Sequence, residues 1–144
     1  MTPSEDNVGV LHGKWGEEIA CEHLRRCGYE IVERNARPCP WDRRYEIDII
    51  AWDRKLDAIV FVEVKQHKMR SPFARRLQSI TRRKKDLLRR ACRTWLFRKR
   101  WQSSYRFDVI EIFGTPDSTA PAEIDHIPRV RLFESEERFV DWSR

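Results

Sequence analysis

Two apolar runs, Ile47 to Trp52 and Ile59 to Val64, are separated only by a short polar turn, Asp53 to Asp57. Val60, Phe61 and Val62 mark the second run as a buried strand, and Ile47, Ile49, Ile50 and Ala51 mark the first. Strands this apolar do not suit a solvated face, so the pair belongs inside a core. Ionised residues nevertheless interrupt them: Asp48 in the first, and Glu63 with Lys65 flanking Val64 in the second.

A hairpin centred between Lys55 and Leu56 opposes Asp48 to Glu63 and Glu46 to Lys65, with all four on one face. Opposed Cβ atoms on a hairpin lie about 4.5–5.5 Å apart, and like charges so placed repel unless something positive sits between them. A divalent cation meets that need. Two carboxylates with a nearby lysine suit a hard, oxygen-liganded metal such as Mg²⁺, which polarises a phosphoryl oxygen and activates water. The alternative is a surface hairpin whose outer face is merely charged.

The charge is unevenly spread. Of 29 Lys and Arg in 144 residues, 15 fall between Lys65 and Arg100, where the one acid is Asp86. That segment carries +14 against −8 elsewhere, for a formal net +6. Such a field favours a polyanion, through release of counterions from phosphates. A merely solvated basic helix is the competing reading. Cys21, Cys27, Cys39 and Cys92 show no C-x-x-C spacing, which argues against a zinc ribbon or redox motif and fits reduced thiols in a cytoplasm. His12, His23, His67 and His126 are scattered and read as ordinary histidines. No apolar stretch is long enough for a membrane span.

The chain reads as one domain, residues 13–133, between a mobile N-terminal segment 1–12 and a tail 134–144. Trp15, Ile19, Ala20, Leu24 and Cys27 recur at near-helical period, with Gly28 as a stop. Tyr29 to Arg34 reads as a strand, and Pro38 and Pro40 make Asn35 to Tyr45 a loop. After an irregular basic stretch, a helix is expected from about Thr81 to Lys99, with Leu87, Leu88, Ala91, Trp95 and Leu96 as its apolar stripe. Lys84 falls on that stripe, one turn before Leu88, at an end where anions are favoured. Tyr105 to Phe113 and Ile124 to Phe133 supply further strands of a mixed α/β layer structure. Glu17 lies at the rim of the first helix's inward face. It is either a third metal ligand or water positioner, or a first-turn glutamate stabilised by the helix dipole.

Several stretches together resemble a known family: Gly13-x-x-Gly16-Glu17-x-x-Ala20, Gly28-Tyr29, Arg34-Asn35, Glu46 to Ala51, Val60 to Lys65, Lys84, and Arg106-Phe107-Asp108-Val109. An acid on one strand followed by E-x-K on the next resembles the PD-(D/E)XK nuclease motif. The wider pattern, over about residues 13 to 113, is similar to the YraN family of bacterial endonuclease-like proteins, relatives of Holliday-junction resolvases. The resemblance implies a PD-(D/E)XK nuclease-like α/β core, a central mixed sheet of about five strands flanked by helices. It favours Glu17 as a site member and Lys84 as a phosphate contact.

The expected function is a metal-dependent endonuclease acting on branched or otherwise structured DNA. Asp48, Glu63, Glu17 and the Val64 carbonyl would hold Mg²⁺ or Mn²⁺, and Lys65 would orient water. Arg82, Arg83, Lys84, Lys85, Arg89 and Arg90 would track phosphates, giving affinity without sequence information. Trp41 and Trp52 are candidates for stacking on bases, whereas Trp15, Trp95 and Trp101 read as packing. A nucleic-acid-binding module without turnover is the rival, and a partner of acidic protein surfaces is a third reading. The choice between DNA and RNA, and whether the chain forms a homodimer, stay open.

Overall fold

A computed structural model of the chain describes residues 4–70 and 81–133. The two apolar runs form strands β2 (Ile47–Asp53) and β3 (Ala58–His67), joined by the expected turn. They pair antiparallel from Asp53–Ala58 to Ile49–Val62, the register expected from the hairpin. β1 (Glu30–Ala36) runs antiparallel to β2 on its other side, with a bulge between Ile31 and Glu33. Beyond β3, strand β4 (Ser104–Phe113) pairs parallel to it, from Ala58–Ser104 to His67–Phe113. A parallel pair needs a crossover, and the basic helix α2 (Arg82–Lys99) provides it. β5 (Glu123–Ile127) closes the sheet antiparallel to β4, giving the order β1-β2-β3-β4-β5. The result is a five-stranded mixed sheet flanked by two helices, the expected α/β architecture.

Burial on both faces follows from the apolar runs. Helix α1 (Glu5–Arg26) lays Ala20, Cys21 and Leu24 on one face, against Ile49, Ala51, Val60, Val62, Ile110 and Ile112. On the other face, Leu88, Ala91, Trp95 and Leu96 of α2 cover Ile50, Ile59, Phe61, Phe107 and Val109. Phe61 meets Trp95 edge-on, ring centres 5.8 Å apart. Burying one such ring contributes about 1.5–3 kcal/mol. Thr81 caps α2, its side chain accepting from the Lys84 backbone N–H at 3.1 Å.

Three boundaries differ from the sequence expectation. Helix α1 begins at Glu5, capped by Ser4, so the described part of the segment read as a lead-in is helical. A Ser cap outweighs the polarity of the first turns. β1 is shifted to Glu30–Ala36, because Asn35 adopts a left-handed φ of 49° that an asparagine tolerates and the pairing continues past it. β5 ends at Ile127 and does not reach Phe133, since Pro128 has no N–H to donate to a ladder. Leu132 and Phe133 still pack against α2, through irregular backbone. The expected C-terminal tail and most of the irregular basic stretch lie outside the described residues.

Candidate active site

The β2–β3 ladder stops at Ile49–Val62, one pair short of Asp48 and Glu63. At this opening the Asp48 Oδ2 accepts the backbone N–H of Val64 at 2.8 Å. The expected convergence of Asp48 and Glu63 is present: burial and the neighbouring Glu63 charge push the Asp48 carboxyl up to about 8, against the Val64 N–H that favours its ionised form. A hydrogen bond to Glu63 acts in the same upward direction.

Glu63 continues the parity of Ile59 and Phe61 and is only 3 % exposed. Its Oε1 lies 3.4 Å from Lys65 Nζ and 3.7 Å from Lys84 Nζ. Lys84 thus reaches across from the first turn of α2, as its place on the apolar stripe suggests. The other oxygen, Oε2, is buried without a hydrogen-bond partner. Buried carboxylate oxygens are ordinarily satisfied, so this atom is an exception among the polar groups of the site.

Glu17 approaches from α1. Gly16 makes this possible: a Cβ there would lie 3.2 Å from the Gln66 Cβ, so the glycine lets the helix settle on β3. Burial raises the Glu17 pKa, opposed by a hydrogen bond from Asn35 and by the Arg34 charge, while Glu46 and Glu63 push it further up. Since α1 starts at Glu5, Glu17 sits mid-helix, and the first-turn dipole reading of this residue falls. With its amide nitrogen facing the carboxylates, Asn35 donates to both Glu17 oxygens and to Glu46 Oε1, each at 3.2 Å.

Glu46 departs from expectation. It precedes β2, and the ladder has already ended, so it is not paired across from Lys65. Its carboxylate meets Asn35 and, at 3.5 Å, Arg37. Asn35 is the site residue that residue-type reasoning missed. The signal was its place at the close of β1, where a left-handed asparagine turns its amide toward the acids.

Basic residues frame the opening unevenly. Arg82 and Arg83 are exposed at the start of α2, Lys85 is half-buried, and Arg90 is exposed two turns beyond Arg83. Arg89 is diverted, its guanidinium donating to the Leu132 carbonyl and to Asp86, both at 2.8 Å. Trp52 is engaged elsewhere, donating to Asp57 at 3.1 Å beneath the Arg54 guanidinium. Among the described residues, no three His, Cys, Asp or Glu side chains form a group able to hold a metal unaided. No helix among them is long and apolar enough to cross a membrane.

Comparison with known proteins adds a family to this geometry. A UPF0102 protein of Desulforamulus reducens is 38% identical over 117 residues, 80% of this chain and 90% of the relative. One from Geotalea daltonii is 41% identical over 116 residues, 80% and 84% of the two chains. One from Mycobacterium avium is 36% identical over 115 residues, 78% and 84%. These names state a family and no activity. The model of the family described as Uncharacterised protein family UPF0102 matches residues 16–112, a span that runs from the Gly16 contact through β4 and takes in every acid and lysine of the site. The chain belongs to the UPF0102 family, the YraN family that its sequence motifs resemble.

Proposed function

We propose that the chain is a divalent-metal-dependent endonuclease that hydrolyses phosphodiester bonds in DNA, with branched or otherwise distorted DNA as its substrate. The observation that carries this reading is the pairing of half-buried Asp48 with buried Glu63, with Glu63 Oε2 unpartnered and Lys65 and Lys84 both directed at Oε1. Setting two carboxyls side by side, so that Asp48 holds its proton far above its ordinary range, carries a cost that a structural role does not explain.

The donor set fits Mg²⁺ or Mn²⁺. Mg²⁺ takes one or two carboxylates and retains several waters, so an all-protein cage is not required. Asp48 and Glu63 would hold the ion, with the Val64 carbonyl and Glu17 completing its surroundings. When bound, the metal supplies Lewis-acid polarisation of a phosphoryl oxygen. Lys65, on the same strand face as Glu63, orients water and stabilises negative charge as it develops. Lys84 holds a phosphate oxygen beside the N-terminus of α2, where the helix itself favours anions. Arg82, Arg83, Lys85 and Arg90 extend that contact along the backbone. Asn35 positions Glu17.

A binding module without turnover is the second reading. It is favoured by the absence, among the described residues, of three side chains able to hold a metal by themselves. Purified protein with Mg²⁺ or Mn²⁺ on linear, flapped and four-way DNA separates the two. Cleavage that Asp48→Asn erases supports the enzyme. DNA and RNA left uncut over hours at micromolar protein leave the binding module.

A further inference from the structure

The loop between β1 and β2 leads directly into Asp48, and it is pinned. Cys39 and Tyr45 are buried against α2, and Cys39 Sγ lies 3.4 Å from Thr94 Oγ1. Within the loop the Asp42 N–H donates to the Cys39 carbonyl at 3.1 Å, and the Tyr45 N–H to the Asp42 carbonyl at 3.3 Å. The Asp42 carboxylate accepts from the Arg44 backbone N–H at 3.0 Å and from its guanidinium at 2.6 Å. Those bonds hold its pKa down to about 2, and it also feels the charge of Arg83 at the start of α2.

On this fixed loop Trp41 is 71 % exposed. Of the tryptophans among the described residues it alone stands in solvent: Trp95 is buried, and Trp15, Trp52 and Trp101 pack against the cores. A single exposed aromatic is ordinary on a protein surface. This one differs because its backbone is fixed at both ends and its surroundings are rich in exposed arginines: Arg43, the ion-paired Arg37 and Arg44, and Arg83 close to Asp42. An indole among arginines beside a candidate phosphodiester site has the chemistry of a stacking platform for an unpaired base.

We infer that Trp41 stacks on an unpaired nucleobase where a DNA duplex ends or branches, so that the loop 37–46 selects interrupted over continuous duplex. The inference rests on the nuclease reading only for the nearby scissile phosphate, since stacking is a binding event. Arg43 and Arg83 hold the flanking phosphates, Arg44 being engaged by Asp42 and Arg37 by Glu46, and the indole takes the base that leaves the stack. A continuous duplex offers no such base without unstacking, so it gains little from Trp41.

The test is an anisotropy titration in EDTA of the full chain, Trp41→Ala and Trp41→Phe, with labelled flapped, four-way and continuous duplex DNA. Denaturation midpoints of the variants verify that they fold. Trp41→Ala weakens binding to flapped DNA on the order of tenfold, affects fully paired four-way DNA less, and leaves continuous duplex nearly unchanged. Trp41→Phe retains most of the affinity. 2-Aminopurine at the unpaired position is quenched by the wild type and not by Trp41→Ala. Equal loss on all three DNAs, no loss on any, or unchanged 2-aminopurine overturns the inference. Because no metal is present, the outcome is separate from cleavage. A chain that binds branched DNA through Trp41 and never cuts sinks the nuclease reading alone, and one that cuts without this discrimination sinks the stacking role alone. Failure to bind any DNA overturns both.

Discussion

β2 carries an acid near each end, half-buried Asp48 and buried Asp53, and the two are treated in opposite ways. At the far end, Asp53 and Asp108 share one cation: Arg106 donates to Asp53 at 3.2 Å and to Asp108 at 3.1 Å, and its remaining nitrogen reaches Tyr29 at 2.7 Å. Asp108, 0 % exposed, also takes the Arg129 backbone N–H at 3.0 Å and contacts His126 at 2.7 Å. At the near end, Asp48 and Glu63 are crowded together, and Glu63 Oε2 has no hydrogen-bond partner. Each cluster holds a buried carboxyl, and both interrupt strands. A satisfied network reads as architecture, whereas an unsatisfied pair is a candidate for chemistry.

The sharpest break of this contrast is in stability. Arg106→Ala strands two buried carboxylates and lowers unfolding free energy by about 3–5 kcal/mol. Asp48→Asn removes the carboxyl that must stay protonated, Glu63→Gln removes the charge that helps to keep it so, and both leave stability unchanged or raised. Chemical denaturation of the three variants checks this, and a loss in Glu63→Gln as large as in Arg106→Ala would make the two clusters alike.

Cleavage gives the converse. Asp48→Asn, Glu63→Gln and Lys65→Ala each lower the metal-dependent rate by about two to three orders of magnitude or more, while DNA binding persists. Single-turnover assays at saturating protein measure it. Asp48→Asn that cuts as well as wild type misplaces the site.

A third effect appears on titration without metal. Folded Asp48 keeps its proton up to about pH 8, against an ordinary value of 3.8, so between these values the folded state binds more protons than the unfolded chain. Its contribution is therefore full below the ordinary value and declines as pH rises through about 8, by at most about 1.4 kcal/mol per pH unit. Asp48→Asn flattens that decline in thermal melts across pH 4–9. An unchanged slope assigns the titration elsewhere.

The smallest effect extends the comparison to the cations of α2. Neutralising Arg82, Arg83 and Lys85 together lowers the log–log salt slope of DNA binding by about one unit for each phosphate that is no longer neutralised. Arg89→Gln leaves the slope in place, because Arg89 is already engaged by Leu132 and Asp86. Equal slopes in both variants would remove this face of α2 from the interface.

The near cluster was legible in the sequence because a hairpin register is local. Apolar runs and turn length decide which residues oppose, and the Asp48–Glu63 approach follows from parity alone. The placement of Lys84 was legible for a related reason, since helical period points it at the sheet. The far cluster was not. Tyr29, Asp53, Arg106 and His126 are joined only by strand order and by the packing of α1, neither of which a local pattern encodes. Thus His23 and His126, read as scattered, stand 3.0 Å apart through ring nitrogens. Asn35 escaped for another reason: its contacts depend on one left-handed backbone angle, which residue type permits but does not dictate.

The early end of the β2–β3 ladder has one more consequence. Past Val62, β3 stays paired to β4 as far as His67–Phe113, but the Val64 amide is held by a side-chain carboxylate where a strand would ordinarily hold it. Its proton therefore senses the ionisation of Asp48 directly. In an NMR spectrum the Val64 amide resonance would move with the titration of that acid and again as a cation displaces its proton, giving the site a spectroscopic reporter one residue from Glu63 and Lys65.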